Sequence, residues 1–140
     1  MTSNDQYKDL IKKAMEAKEK AYVPYSKFHV GAALKTKEGK IYTGCNIESA
    51  SYTPTICAER TAIAKAISEG DKDFEAIAVT GDSDYTFPCG VCRQVIREFG
   101  RDIKVIVANT EDDFRVYTLD ELLPNSFGPE DLEENGGRDK

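Results

Sequence analysis

One hundred and forty residues, 40% of them hydrophobic, make a single domain with one core. Twenty-five acidic against 19 basic residues give a net charge of −6 with no Lys/Arg cluster of the kind that neutralises phosphates, so no nucleic-acid partner is expected. No apolar run approaches the ~20 residues that cross a bilayer. The polar start MTSNDQYKDL also lacks a basic-then-apolar signal pattern, so no membrane role and a cytoplasmic location are expected.

From Ser3 to Ala21, Tyr7, Leu10, Ile11, Ala14 and Met15 recur at spacings of three and four and share one helical face. Ser3 with Gln6 fits a capping box, and Val23-Pro24-Tyr25-Ser26 ends the helix. Lys27 to Lys35 alternates as a strand does, with Phe28, Val30, Ala32 and Leu34 on one side and His29, Gly31, Ala33 and Lys35 on the other. A turn at Lys37-Glu38-Gly39-Lys40 leads to a returning strand, Ile41 to Glu48, and the two form an antiparallel hairpin. After a loop from Ser49 to Pro54, Thr55 is placed to cap a helix that starts near Cys57. That helix carries apolar Ala62, Ile63, Ala66 and Ile67 and stops at Gly70. Phe74 to Gly81 reads as a buried strand. Pro88 leads into a second helix starting near Cys89, with Val95, Ile96 and Phe99 inward and Gly100 as its stop. Ile103 to Ala108 is another buried strand, Phe114 to Tyr117 one more, and Leu119 to Leu123 a short helix ended by Pro124. From Glu130 the acidic, Gly-rich composition points to disorder, which sets a domain over 1–132 and a tail over 133–140. The layout is α/β, with helices covering a mixed sheet.

Four cysteines without a secretion signal read as metal ligands or free thiols rather than disulfides. Cys89 and Cys92 have the C-x-x-C spacing that lets two thiolates hold one ion; Cys57 is a third candidate, and Glu59 follows it by two. Zinc suits thiolates, and a catalytic zinc keeps three protein ligands and leaves the fourth position for water. A carboxylate beside such a site can move protons to and from that water. Two rival readings stand beside this one. A thioredoxin-like redox pair would have no use for Cys57-Ala58-Glu59. A closed structural zinc would add Cys45, which otherwise reads as a small buried residue at a strand end. His29, the one histidine, is read as a strand residue with no metal role, because three cysteines complete an open site. Both ligand stretches fall at helix N-termini, whose partial positive charge offsets the net −1 of Zn²⁺ with three thiolates. Arg60 and Arg93 adjoin the ligand turns, where they either hydrogen-bond the sulfurs or lie on the surface. Cys-x-Glu followed by Pro-Cys-x-x-Cys matches the signature of zinc nucleobase deaminases.

Taken together, FHVGAAL, TGCNIESASY, TICAERTA, PCGVCRQ and LLPNSFGPEDL resemble the cytidine deaminases, in particular the short, single-domain, homotetrameric kind, over residues 5–132. Thr53-Pro54 stands where Gly-Leu is more usual, and Pro124-Asn125-Ser126-Phe127 replaces a Pro-Gly-Ala-Phe-like turn. The resemblance implies a three-layer α/β/α fold and one Zn²⁺ per chain on Cys57, Cys89 and Cys92, with Glu59 as proton shuttle. The reaction implied is hydrolytic deamination of cytidine and 2′-deoxycytidine, in pyrimidine nucleoside salvage. It also implies that Asn46 and Glu48 hold the ribose, that Phe28 packs near the nucleoside, and that the main chain of Ala58 contacts the pyrimidine. Ala50, Tyr52 and Phe127 would reach across subunits of a homotetramer, Phe127 stacking on the base. Read without the family, Asn46 and Glu48 lie two apart at a strand end and share a face, able to grip a hydroxyl or simply to form a turn. A carboxylate at the sugar repels a phosphate, which favours nucleosides over nucleotides. Phe127 on its own reads as an apolar anchor near the C-terminus.

Overall fold

The computed structural model of the chain describes residues 5–132. Strands β1 (Val30–Thr36), β2 (Ile41–Cys45), β3 (Phe74–Gly81), β4 (Lys104–Thr110) and β5 (Asp113–Thr118) form one sheet in the order β2-β1-β3-β4-β5. β1 runs antiparallel to both β2 and β3, β3 and β4 are parallel, and β5 returns antiparallel to β4. The sheet is therefore mixed, and the one parallel pair is joined by a helical crossover, as parallel pairs require.

Among the described residues four α-helices accompany it: α1 (Asp5–Lys18), α2 (Ala58–Ser68), α3 (Gly90–Arg97) and the single turn α4 (Leu119–Leu122). The three inner strands are buried at successive positions rather than alternate ones, the pattern of strands covered on both faces. On one face Ala33, Ala76, Ala78, Ile106 and Ala108 meet Leu10, Ile11 and Ala14 of α1. On the other, Ala32, Leu34, Ile77, Val105 and Val107 meet Ala58, Ala62, Ile63 and Ala66 of α2 and Ile96 of α3. The expected three-layer α/β/α domain is thus present, with α1 alone on one side and both cysteine-bearing helices on the other.

Two glycines set how closely the helices lie. A Cβ on Gly31 would overlap the backbone of α1 at Ala14 and Lys18. One on Gly44 would stand 2.5 Å from the Ala58 carbonyl oxygen and 2.6 Å from the Ala62 nitrogen. Gly44 therefore lets the first turns of α2 rest directly on β2, which fixes where the residue preceding that helix, Cys57, can sit.

Several boundaries differ from the sequence reading. α1 ends at Lys18 rather than Ala21: the chain tightens through Glu19 and Lys20, and Tyr22 is drawn into a bridge with Ile47 through its nitrogen to the Asn46 carbonyl, 2.9 Å. Lys27–His29 are not strand. Lys27 has φ +63, and the side chain of Asn46, not a neighbouring strand, pairs with the Val30 nitrogen and the Phe28 carbonyl. β2 likewise stops at Cys45, with Ile47 pairing separately to Tyr22 and Ile56. Thr55 does not cap α2; its hydroxyl accepts from the Ser49 nitrogen, and Cys57 is the N-cap. Ile67 points to solvent. Gly70, at φ +94, ends α2 as expected. The proposed Ser3 cap and the tail over 133–140 lie outside the described residues.

Replacing Gly44 by alanine is expected to lower stability by about 1–3 kcal/mol through overpacking against α2. The midpoint of a denaturant titration measures this; an unchanged midpoint would mean that α2 does not sit as close as described.

Candidate metal centre

The three sulfurs converge because two helices begin at the same place. Cys57 is the N-cap residue of α2 and Cys89 that of α3, both with extended backbone, while Cys92 lies one turn into α3. Sγ atoms of Cys57, Cys89 and Cys92 lie within 4.8 Å of one another, and those of Cys57 and Cys89 are 3.9 Å apart. Two sulfurs ~2.3 Å from a tetrahedral ion stand about 3.8 Å apart, so this spacing fits a shared metal and is far too long for a disulfide. Cys45 is not in the cluster; its thiol donates to the Lys20 carbonyl at 3.4 Å. A closed four-cysteine site therefore has no fourth sulfur in place. His29 is also elsewhere, paired through Nδ1 with Asp82 at 3.0 Å.

The surroundings act unevenly on the sulfurs. A hydrogen bond between Cys57 and Cys92 holds the Cys57 thiol well below the usual range and pushes that of Cys92 up. Arg60 reinforces the first effect, donating from Nη2 to Cys57 Sγ at 3.5 Å. The nitrogen of Cys92 also donates to Cys89 Sγ at 3.5 Å, and both helix N-termini face the cluster with partial positive charge. Arg93 does not join them. It donates from Nε to the Pro88 carbonyl and from Nη1 to the Leu122 carbonyl, each at 2.8 Å, and so braces the turn before Cys89 against the end of α4.

Glu59 lies in the first turn of α2, 3% exposed. Burial pushes its carboxyl up to about 7, and the negative charge of Cys57 adds to that shift. A carboxyl titrating near neutrality can both take up and return a proton at working pH. A redox reading of the C-x-x-C gives neither the third sulfur nor this carboxyl anything to do.

The remaining predicted residues lie on α2, on the 46–52 segment, on the 25–30 loop and near the C-terminal end of the described residues. Ala58, fully buried, opens α2 beside Glu59. The segment 46–48 runs alongside 55–57 through paired Ile47 and Ile56 backbone bonds of 2.9 Å, a register that sets Asn46 across from Cys57 and Glu48 across from Thr55. Both side chains are used to shape the 25–30 loop. Asn46 Nδ2 donates to the Phe28 carbonyl, while Glu48 accepts from the nitrogens of Tyr25 and Ser26, at 3.0 and 3.1 Å, and from the Ser26 hydroxyl. These bonds hold the Glu48 carboxyl below its ordinary range, the Ser26 hydroxyl contributing most. A cavity of about 500 Å³ opens there, lined by Tyr25, Ser26, Glu48, Ser49, Tyr52 and Thr55. Phe28 is half-buried at its edge of the loop. Ala50, Tyr52 and Phe127 are exposed, and neither Ala50 nor Phe127 lines that cavity. Sequence reasoning missed Ser26, whose hydroxyl both donates to Glu48 and accepts from the Phe28 nitrogen; a serine after Pro-Tyr gives no sign of a partner 22 residues away.

An open three-thiolate site beside a buried carboxyl, at helix starts on one face of a mixed sheet, is the arrangement of the zinc nucleobase deaminases. The family model described as "Cytidine and deoxycytidylate deaminase zinc-binding region" matches residues 4–109. The chain belongs to that family. It is 53% identical over 125 residues to a protein of Halalkalibacterium halodurans named cytidine deaminase, covering 88% of this chain and 95% of the relative. It is 44% identical over 132 residues to a probable cytidine deaminase of Dictyostelium discoideum, covering 93% and 89%. Among solved structures, the cytidine deaminase of Burkholderia pseudomallei superposes with a TM-score of 0.82 at 46% identity, covering 91% of this chain and 100% of that one.

Metal analysis of single variants tests the cluster. Serine at Cys57, Cys89 or Cys92 is expected to abolish stoichiometric zinc, whereas Cys45→Ser should retain one zinc per chain. Loss of zinc in Cys45→Ser would bring back the closed structural site.

Proposed function

We propose that this protein is a zinc-dependent deaminase that hydrolyses cytidine and 2′-deoxycytidine to uridine and 2′-deoxyuridine plus ammonia. The observation that carries the reading is the buried Glu59 carboxyl, set in the same turn as Cys57 beside three clustered sulfurs that could hold a zinc ion. A zinc ion on those sulfurs would supply a Lewis acid that lowers the pKa of water from 15.7 towards ~7, less strongly with three thiolates than with histidines. Glu59 takes a proton from the water and delivers it to ring N3, which draws electrons from C4 and readies it for attack. The hydroxide left from the water adds to C4; the same carboxyl then carries the proton of that new hydroxyl to the amino group, the C4–N bond breaks, and ammonia leaves as the C4 carbonyl of uridine forms. Arg60, donating to Cys57 Sγ, favours the thiolate form of that ligand.

The rest of the substrate is assigned to residues around that centre. The main chain of Ala58, at the open start of α2, meets the pyrimidine. Asn46 and Glu48 hold the ribose hydroxyls: an amide nitrogen carries two hydrogens and a carboxylate offers roughly four acceptor sites, so each has capacity beyond its bonds to the 25–30 loop. Phe28 packs against the nucleoside. Ala50, Tyr52 and Phe127 act across a subunit boundary in a homotetramer, a role that suits their exposure and rests on the family resemblance. A cytoplasmic place in pyrimidine nucleoside salvage belongs to the same reading; among the described residues no helix is long and apolar enough to cross a membrane.

Two measurements test the proposal. Glu59→Gln should bind zinc as the parent does while turnover of cytidine falls by ~10²–10⁴-fold, the contribution of a positioned acid–base group; full activity would remove Glu59 from the reaction. Ultraviolet assays should show turnover of cytidine and deoxycytidine but not of cytosine or CMP. Equal turnover of CMP would mean that Glu48 does not face the sugar.

A further inference from the structure

The stretch over residues 126–130 is fastened to α3 in an uneven way. Arg97, on the inner side of α3, is 2% exposed. A charged group so buried is costly unless paired and hydrogen-bonded. Its partners all lie within five residues. Nε donates to the Ser126 hydroxyl at 2.6 Å, Nη2 pairs with the Glu130 carboxylate, and Gly128 lies so close that a Cβ there would overlap the guanidinium. One turn earlier on the same face of α3, Gln94 donates from Nε2 to the Phe127 carbonyl at 2.8 Å. Arg101 adds a second contact to Glu130 at 3.1 Å.

Every one of these ties holds main chain or flanking polar groups, and none buries the Phe127 ring, which is 56% exposed. An apolar core anchor shows the reverse: the ring is buried and the backbone follows. Here the backbone on both sides of Phe127 is locked while the ring is presented outward.

We infer that the Arg97–Glu130 pair is a positioning device that fixes the Phe127 ring for substrate binding, with Gln94 and Gly128 completing the clamp. The inference rests on the proposed role of Phe127 at the nucleoside base. Arg97 and Glu130 touch no reacting atom; they act through Phe127 by removing the freedom of residues 126–130. An exposed aromatic ring that must be ordered on binding costs affinity, and one already held in place does not. The effect should therefore appear in KM rather than kcat, since a stack made equally in ground and transition states contributes uniform binding.

The test uses the full, zinc-loaded protein. Arg97→Met together with Glu130→Gln removes both charges and leaves no buried ion unpaired; Gly128→Ala presses the clamp open without altering charge. Both should keep the parent zinc content and a kcat within about twofold, while KM for cytidine rises about tenfold, in the range for losing one aromatic–base stack. Phe127→Ala should raise KM similarly, and adding it to the charge-free pair should give no further increase. The inference is overturned if Phe127→Ala raises KM but the clamp variants do not, or if the two increases multiply. A normal KM in Phe127→Ala would instead overturn the underlying role of Phe127, and the clamp's role with it. If the charge-free pair does not fold, Gly128→Ala alone decides between these results.

Discussion

Three thiols must meet at one point, and the rest of the molecule is arranged around that requirement. Thiolates repel one another, and gathering them in a partly buried place is unfavourable unless positive charge is supplied nearby. The chain supplies it from two sources. The starts of α2 and α3 each bring the partial positive charge of unpaired backbone N–H groups, and Arg60 brings a full charge to Cys57 at 3.5 Å. The 3.9 Å between Cys57 and Cys89 is a separation that an ion of tetrahedral habit can bridge.

That convergence depends on the sheet. The crossover from β3 through α3 to β4 sets the Cys89-x-x-Cys92 turn at the end of β3, and Gly44 lets α2 settle on β2 so that Cys57 arrives from the other side. Arg93, rather than tuning the sulfurs, ties the turn before Cys89 to the carbonyl that ends α4, which carries order from the C-terminal part of the chain into the site. The same helix α3 thus works in two directions: its N-terminus faces the cluster, and its inner side near Arg97 holds the segment that carries Phe127.

Much of this was legible in the sequence. The apolar face of α1, the buried strands β3 and β4 and the stops at Gly70 and Gly100 follow from periodicity and backbone preference, which are local properties. The cluster of Cys57, Cys89 and Cys92 was readable from spacing because metal chemistry restricts the residue types so strongly. What was not legible is contact between segments distant in sequence. Nothing local says that the Asn46 side chain would bond Val30 and Phe28 at the start of β1, that Tyr22 would pair with Ile47, or that the Thr55 hydroxyl would accept from Ser49 and not cap α2. Arg97 was missed for the same reason: its charge suggests solvent, and only the arrival of Ser126 and Glu130 makes its burial tolerable. Arg60 took one of its two expected roles and bonds a sulfur, whereas Arg93 took neither: it is half-buried and bonds main-chain carbonyls.

The proposed chemistry needs an open metal position beside Glu59. X-ray absorption at the zinc edge of the loaded protein measures it directly. Three sulfurs at about 2.3 Å and one lighter oxygen or nitrogen neighbour at about 2.0 Å are the predicted shell. A shell of four sulfurs would contradict it, because a closed site leaves no place for the water that Glu59 is positioned to serve.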